Sequence, residues 1–138
     1  MRGFSLSLML VVFLVLPSVA LAQPNVQEGM YDIETTTEMP GMGFTMPAVP
    51  FSQCITREDL VPRQQAAQQD CELLESEIEG DTVTWKMRCQ SEGGPITSTG
   101  RMIYHGDSFE GTVETISEQI PGGMRQSMKG SRNGPCPQ

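Results

Sequence analysis

The chain has 138 residues, with nine Lys and Arg set against seventeen Asp and Glu, a single His, and a formal net charge of −8. Such an acidic chain repels polyanions, which sets aside nucleic acid and anionic membrane surfaces as expected partners. Aromatic residues make up only 6% and four residues are cysteines, a composition that fits a modest core helped by covalent links.

The first 22 residues read as a secretory leader. Arg2 gives a short basic start, the run from Phe4 to Leu16 is almost wholly apolar, Pro17 breaks it, and Ala20-Leu21-Ala22 offers small residues for a signal peptidase. Cleavage after Ala22 is expected, leaving residues 23–138 as one small domain in the periplasm. The apolar run is shorter than the roughly 20 residues of a spanning helix. No later segment approaches that length, so no transmembrane anchor is expected in the mature chain. No cysteine stands at the cleavage point, which argues against an acylated lipoprotein. Arg2 is the one charged leader residue, so the mature segment has eight bases and seventeen acids, 8 − 17 = −9.

In chain order, Tyr31, Ile33 and Thr35 alternate with Asp32, Glu34 and Thr36, the two-residue period of a half-buried strand. The segment from Met39 to Ser52 contains Pro40, Pro47 and Pro50 with Gly41 and Gly43, and is expected to be an irregular connector. It also carries Met39, Met42 and Met46, whose soft thioether sulfurs suit Cu(I). The simpler reading folds these adaptable side chains onto the sheet as a lid.

Thr56 to Leu60 has a helix start, with Thr56 as cap and acids in the first turn, before Pro62 interrupts; Gln64 to Gln69 continue it as a second helical turn or as loop. An acidic stretch follows, from Asp70 through Glu72, Glu75, Glu77 and Glu79 to Asp81, while the bases Arg125, Lys129 and Arg132 dominate the tail. Both read as solvated strand faces, and opposite charge would suit neighbouring positions. The acidic spacing matches no calcium loop.

The clearest element is Thr82 to Cys89. Val83, Trp85, Met87 and Cys89 alternate with Thr82, Thr84, Lys86 and Arg88, an antiparallel strand with one wet face. Further on, Met102 and Tyr104 alternate with Arg101 and Ile103, Phe109 and Val113 with Glu110, Thr112 and Glu114, and Met124 and Met128 with Arg125 and Lys129. Gly80-Asp81 and Gly106-Asp107 mark hairpin turns. The expected fold is mainly β: a single curved antiparallel sheet, a meander of about five to six strands, with one short helix and the Pro/Gly/Met-rich connector, stapled by disulfides.

Four cysteines allow three pairings, and no Cys-x-x-Cys supports a zinc or redox site. If Gly80-Asp81 forms a two-residue turn, Ile78 faces Val83, Ser76 faces Trp85, Leu74 faces Met87 and Glu72 faces Cys89. A bulge near Leu73-Leu74 would bring Cys71 opposite Cys89, leaving Cys54 to Cys136. The rival pairing, Cys54 to Cys71 and Cys89 to Cys136, also satisfies the count.

One ordered set of motifs spans the mature chain: Glu28-Gly29-Met30-Tyr31, Met39-Pro40-Gly41-Met42, Cys54-Ile55-Thr56-Arg57-Glu58-Asp59, Cys71, Val83-Thr84-Trp85 with Cys89, Tyr104-His105-Gly106-Asp107-Ser108-Phe109-Glu110-Gly111, and Gly134-Pro135-Cys136. It resembles the bacterial exported family known as domain of unknown function 3617. That family's opening usually carries Trp where this chain has Tyr31, an aromatic exchange that keeps the packing role. The resemblance implies a Gram-negative envelope protein and brings no established activity.

No catalytic constellation stands out. His105, in a His-Gly-Asp turn, lacks an identifiable partner for acid–base work; Asp107 is accounted for by turn formation. Bridged cysteines leave no thiolate, and no Gly-x-Ser-x-Gly elbow is present. The expectation is a noncatalytic binding or structural module without cofactor, whose sheet packs on its own connector or holds an apolar ligand or an envelope protein partner. The alternative is a Cu(I)-handling protein using the methionine loop.

Overall fold

The computed structural model describes residues 23–61 and 70–138. The leader, 1–22, and the helical continuation expected at 64–69 fall outside the described residues.

Period-two patterning produces one open antiparallel sheet, as expected, but with seven strands rather than five or six. They are β1 (Gly29–Met39), β2 (Phe44–Ile55), β3 (Cys71–Glu79), β4 (Thr82–Cys89), β5 (Ile96–Tyr104), β6 (Ser108–Ser117) and β7 (Ile120–Gly134). Their spatial order is β2-β1-β7-β6-β5-β4-β3. β3 to β7 form an unbroken meander, and the β1–β2 hairpin joins it through β1 and β7.

The additional strand is the segment expected to be an irregular connector. Residues 44–55 pair with β1 from Phe44 opposite Met39 to Ile55 opposite Gly29, with a register shift between Thr35 and Thr37. Pro47 and Pro50 do not prevent this because β2 is an edge strand, which needs only part of its N–H groups for a ladder, and because a bulge tolerates unpaired residues. Pro40 sits in the three-residue 3-10 turn Pro40–Met42 that joins β1 to β2.

The helix expected from Thr56 is also corrected, to a 3-10 turn over Arg57–Asp59. Asp59 N–H donates to the Thr56 carbonyl at 3.1 Å. The Thr56 hydroxyl donates to Asp59 Oδ2 at 2.7 Å instead of capping a backbone N–H. Val61 precedes Pro62, and a residue before proline is steered away from helical angles, so the turn stops there.

β2 and β3 lie at opposite edges, so the connection between them takes the chain from one side of the sheet to the other. Its described beginning packs on the sheet: Leu60 and Val61 are buried members of the core cluster. That core contains Tyr31, Ile33, Val83, Trp85, Met102, Tyr104 and Phe109, on the face assigned by alternation, together with Val26 and Ile55, which alternation did not assign.

The β3–β4 register follows the sequence argument. Ile78 faces Val83 and Ser76 faces Trp85; a bulge falls between Leu73 and Glu75, so that Leu73 and not Leu74 faces Met87, and Cys71 faces Cys89. Disulfides join Cys71 to Cys89 and Cys54 to Cys136, with Cα–Cα separations of 4.0 and 5.3 Å. The rival pairing is thereby overturned. The turn between β3 and β4 requires positive φ at Gly80, which is +58°, a conformation glycine adopts without steric cost.

Charge placement corrects another expectation. The acidic run occupies the outer edge strand β3 and does not adjoin the basic tail. β7 runs between β1 and β6, where Lys129 faces Glu34 and Glu110, and Arg125 faces Glu38 and Glu114. The Arg125 guanidinium donates to Glu114 Oε1 through Nε at 3.1 Å and through Nη2. Both side chains are half exposed, so such a pair contributes under about 1 kcal/mol and chiefly fixes register.

Candidate functional site: the apolar face

The apolar face is built from direct cross-strand pairs of a large residue and a glycine. Trp85 faces Gly100, Met102 faces Gly111 and Phe109 faces Gly130. A Cβ placed on each glycine would meet the Trp85 indole, the Met102 thioether or the Phe109 ring, so these side chains lie flat over the neighbouring strand. Glycine inside a strand often marks such close approach. Phe109 also sits between two tyrosines, with ring centroids 5.6 Å from Tyr31 and 5.8 Å from Tyr104, spacings at which tilted aromatic pairs attract.

Tyr31 is fully buried, the packing role expected of an aromatic there. Its hydroxyl is shared between the carbonyls of Gln27 at 2.7 Å and Gly106 at 3.1 Å. The same end of the sheet is clasped by the N-terminal segment: Gln27 N–H donates to the Gly106 carbonyl and Gly106 N–H to the Asn25 carbonyl, and Asn25 N–H donates to Asp81 Oδ1 at 2.8 Å. Burial raises the Tyr31 phenol, with Arg132 opposing and Asp107 adding to the shift. Burial pushes the Tyr104 phenol up to about 12, with Tyr31 adding to the effect.

Beyond this packed centre the face opens into a cavity of about 300 Å³. Its walls come from β2 (Phe51, Ile55), β1 (Ile33), β7 (Met128), β6 (Phe109, Val113), β5 (Met102, Tyr104) and β4 (Trp85, Met87), with Leu60 from the connection. Its polar side chains include Gln53, Asp59, Ser98, Thr115 and Gln126. Ser98 and Thr115 hydrogen-bond each other at 3.2 Å. An apolar concavity with a few polar groups is the usual form of a small-molecule site.

The other expected site residues fall elsewhere. Met39 and Met46 stand on the paired strands β1 and β2, where Thr37 faces Met46 and Met39 faces Phe44. Met42 is at the turn, 60% exposed. None of the three borders the cavity. His105 and Asp107 lie on the exposed β5–β6 turn; His105 N–H donates to the Ser108 carbonyl and the Asp107 carbonyl accepts from Arg132 N–H. His105 Nε2 is 4.0 Å from Glu110 Oε1, both half exposed. Among the described residues, no three His, Cys, Asp or Glu side chains form a set that could hold a metal ion. No helix among them is long and apolar enough to cross a membrane.

Sequence reasoning found Trp85, Met87, Met102, Tyr104, Phe109 and Val113 but missed Phe51, Leu60 and the glycine partners. Gly100, Gly111 and Gly130, each inside a strand, were the available signal for a large side chain lying across. For Leu60 and Phe51 no local signal existed.

The fold is thus that of a small disulfide-linked β-sheet protein with one apolar face. The chain matches the family model described as "Protein of unknown function (DUF3617)" over residues 26–136, from the bridge at Val26 to the second disulfide, and it belongs to that family. No curated protein and no solved structure matches it significantly.

Proposed function

We propose that this chain is a noncatalytic binding module of the bacterial envelope, exported by its leader to the periplasm, which holds an apolar ligand or an extended partner segment in its groove. The observation that carries this reading is the reach of the cavity lining. In a flat sheet β2 and β4 are five strand spacings apart, about 24 Å, yet side chains of both border one cavity of about 300 Å³. The sheet therefore curves around this face and makes a concave site. Two disulfides with no free cysteine among the described residues suit an oxidising compartment.

Trp85 is the sole tryptophan and lines the groove, so its fluorescence reports occupancy. Titration with dodecyl maltoside below its micelle-forming concentration should give a saturable change, and Val113→Phe, which fills part of the groove and leaves Trp85 the sole tryptophan, should weaken or abolish it. Gentle purification from periplasm followed by native mass spectrometry should show a bound apolar species. Absence of both saturable binding and a co-purifying species would remove this reading.

A second reading, Cu(I) handling, is supported by the hairpin itself. Met39 and Met46 are diagonal cross-strand neighbours on one face, a relation within reach for long side chains, with Met42 at the turn between them. Titration of Cu(I) into wild type and Met42→Ala tests it: equal, weak binding in both would dispose of the copper role.

A further inference from the structure

We infer that the groove selects cationic amphiphiles, molecules with one apolar chain ended by an amine or quaternary ammonium. The inference rests on the groove reading above and adds the charge of the ligand's head. Among the described residues no Lys, Arg or His lines the cavity, and Asp59 is the one carboxylate there. Asp59 is exposed beside buried Leu60, which places the charge at the rim and the apolar surface behind it. The Thr56 hydroxyl, 2.7 Å from Asp59 Oδ2, positions that carboxylate, and the Gln53 and Gln126 amides border the same space.

An anionic head entering here would meet a like charge and find no base among the described lining residues, and loss of hydration without a partner is costly. A cationic head meets Asp59 in a chain of net charge −8, whose field favours the approach of cations. The tail meets Met87, Met102 and Met128, flexible thioethers that adapt to chains of different shape.

Three single-chain probes with the same tail test the inference: dodecyltrimethylammonium, dodecyl maltoside and laurate, each below its micelle-forming concentration and read by Trp85 fluorescence. The ammonium should bind about fivefold more tightly than laurate, the scale of one exposed ion pair, and added salt should narrow the gap. Asp59→Asn should reduce that gap to under about twofold, again one exposed ion pair's worth, while leaving maltoside binding in place; circular dichroism checks that the variant folds, and the salt series stands for it if it does not. Laurate binding as well as the ammonium, with maltoside also bound, would overturn the selectivity and spare the groove. Failure of all three probes would remove the groove reading and this inference together.

Discussion

At the scale of single residues, the apolar face depends on what is missing from three strands as much as on what is present. The indole of Trp85 lies where a Gly100 side chain would be, so Gly100→Ala forces ring or backbone to move, a change that costs about 1–3 kcal/mol in a packed site. Urea unfolding should show that loss together with a shifted Trp85 emission; wild-type stability would mean that the ring relocates freely. Tyr104 carries a pH prediction. Its phenol pKa rises from 10.0 to about 12 in the fold, burial being the main cause, so the fold favours the protonated form. The corresponding stability is complete below pH 10 and is lost as pH climbs through about 12. Tyr104→Phe should therefore flatten the fall in stability over that window, measured by urea unfolding at stepped pH, and parallel slopes in the two proteins would contradict the assignment. Tyr31, also raised by burial, contributes part of the slope that remains. These pairings were only half legible: alternation identifies Trp85 and Phe109 as inward residues, but a cross-strand partner is known only once register is known.

Among the elements, the β3–β4 hairpin shows how far local rules reach. Gly80-Asp81 sets the turn, the turn sets the register, and the misfit of Cys71 against Cys89 calls for one extra residue, which the structure places between Leu73 and Glu75. Leu74 is that residue, and it is 38% exposed. Deleting it leaves Leu73 opposite Met87 and Cys71 opposite Cys89 in a regular ladder, so the ΔLeu74 protein should still form the bridge. Peptide mapping under non-reducing conditions reads this directly, and a free Cys71 thiol in the variant would refute the bulge account. The β1–β2 hairpin shows the opposite case. Its prolines and glycines read as a loop because propensity treats every strand as if both its sides were paired, whereas β2 has a neighbour on one side. The Arg57–Asp59 turn likewise began as a helix signal that Pro62 cut short.

For the whole molecule, the path of the chain explains where the staples lie. Cys54–Cys136 joins the edge strand β2 to the tail after β7 across 82 residues of sequence, and Cys71–Cys89 closes 18 residues at the other edge. In the chain-entropy description such loops are worth roughly 4–5 and 3 kcal/mol. Replacing Cys54 and Cys136 by serine should thus destabilise the protein more than replacing Cys71 and Cys89, as read by denaturant midpoints; the reverse order would show that strain or residual structure dominates. Oxidised protein should weigh about 4 Da less than reduced protein, two hydrogens per bridge. Alternation and glycine turns determined the strand faces and the register next to the β3–β4 turn, because each depends on neighbours a few residues away, while the family was legible only as a resemblance in an ordered motif set. Only the tertiary structure decided that residues 44–55 become a seventh strand, that the acidic and basic segments lie apart, and that Phe51, Leu60 and Trp85 meet around one cavity. Those outcomes depend on which strands become neighbours, a choice made by burying the whole face at once and not encoded in any short stretch of chain.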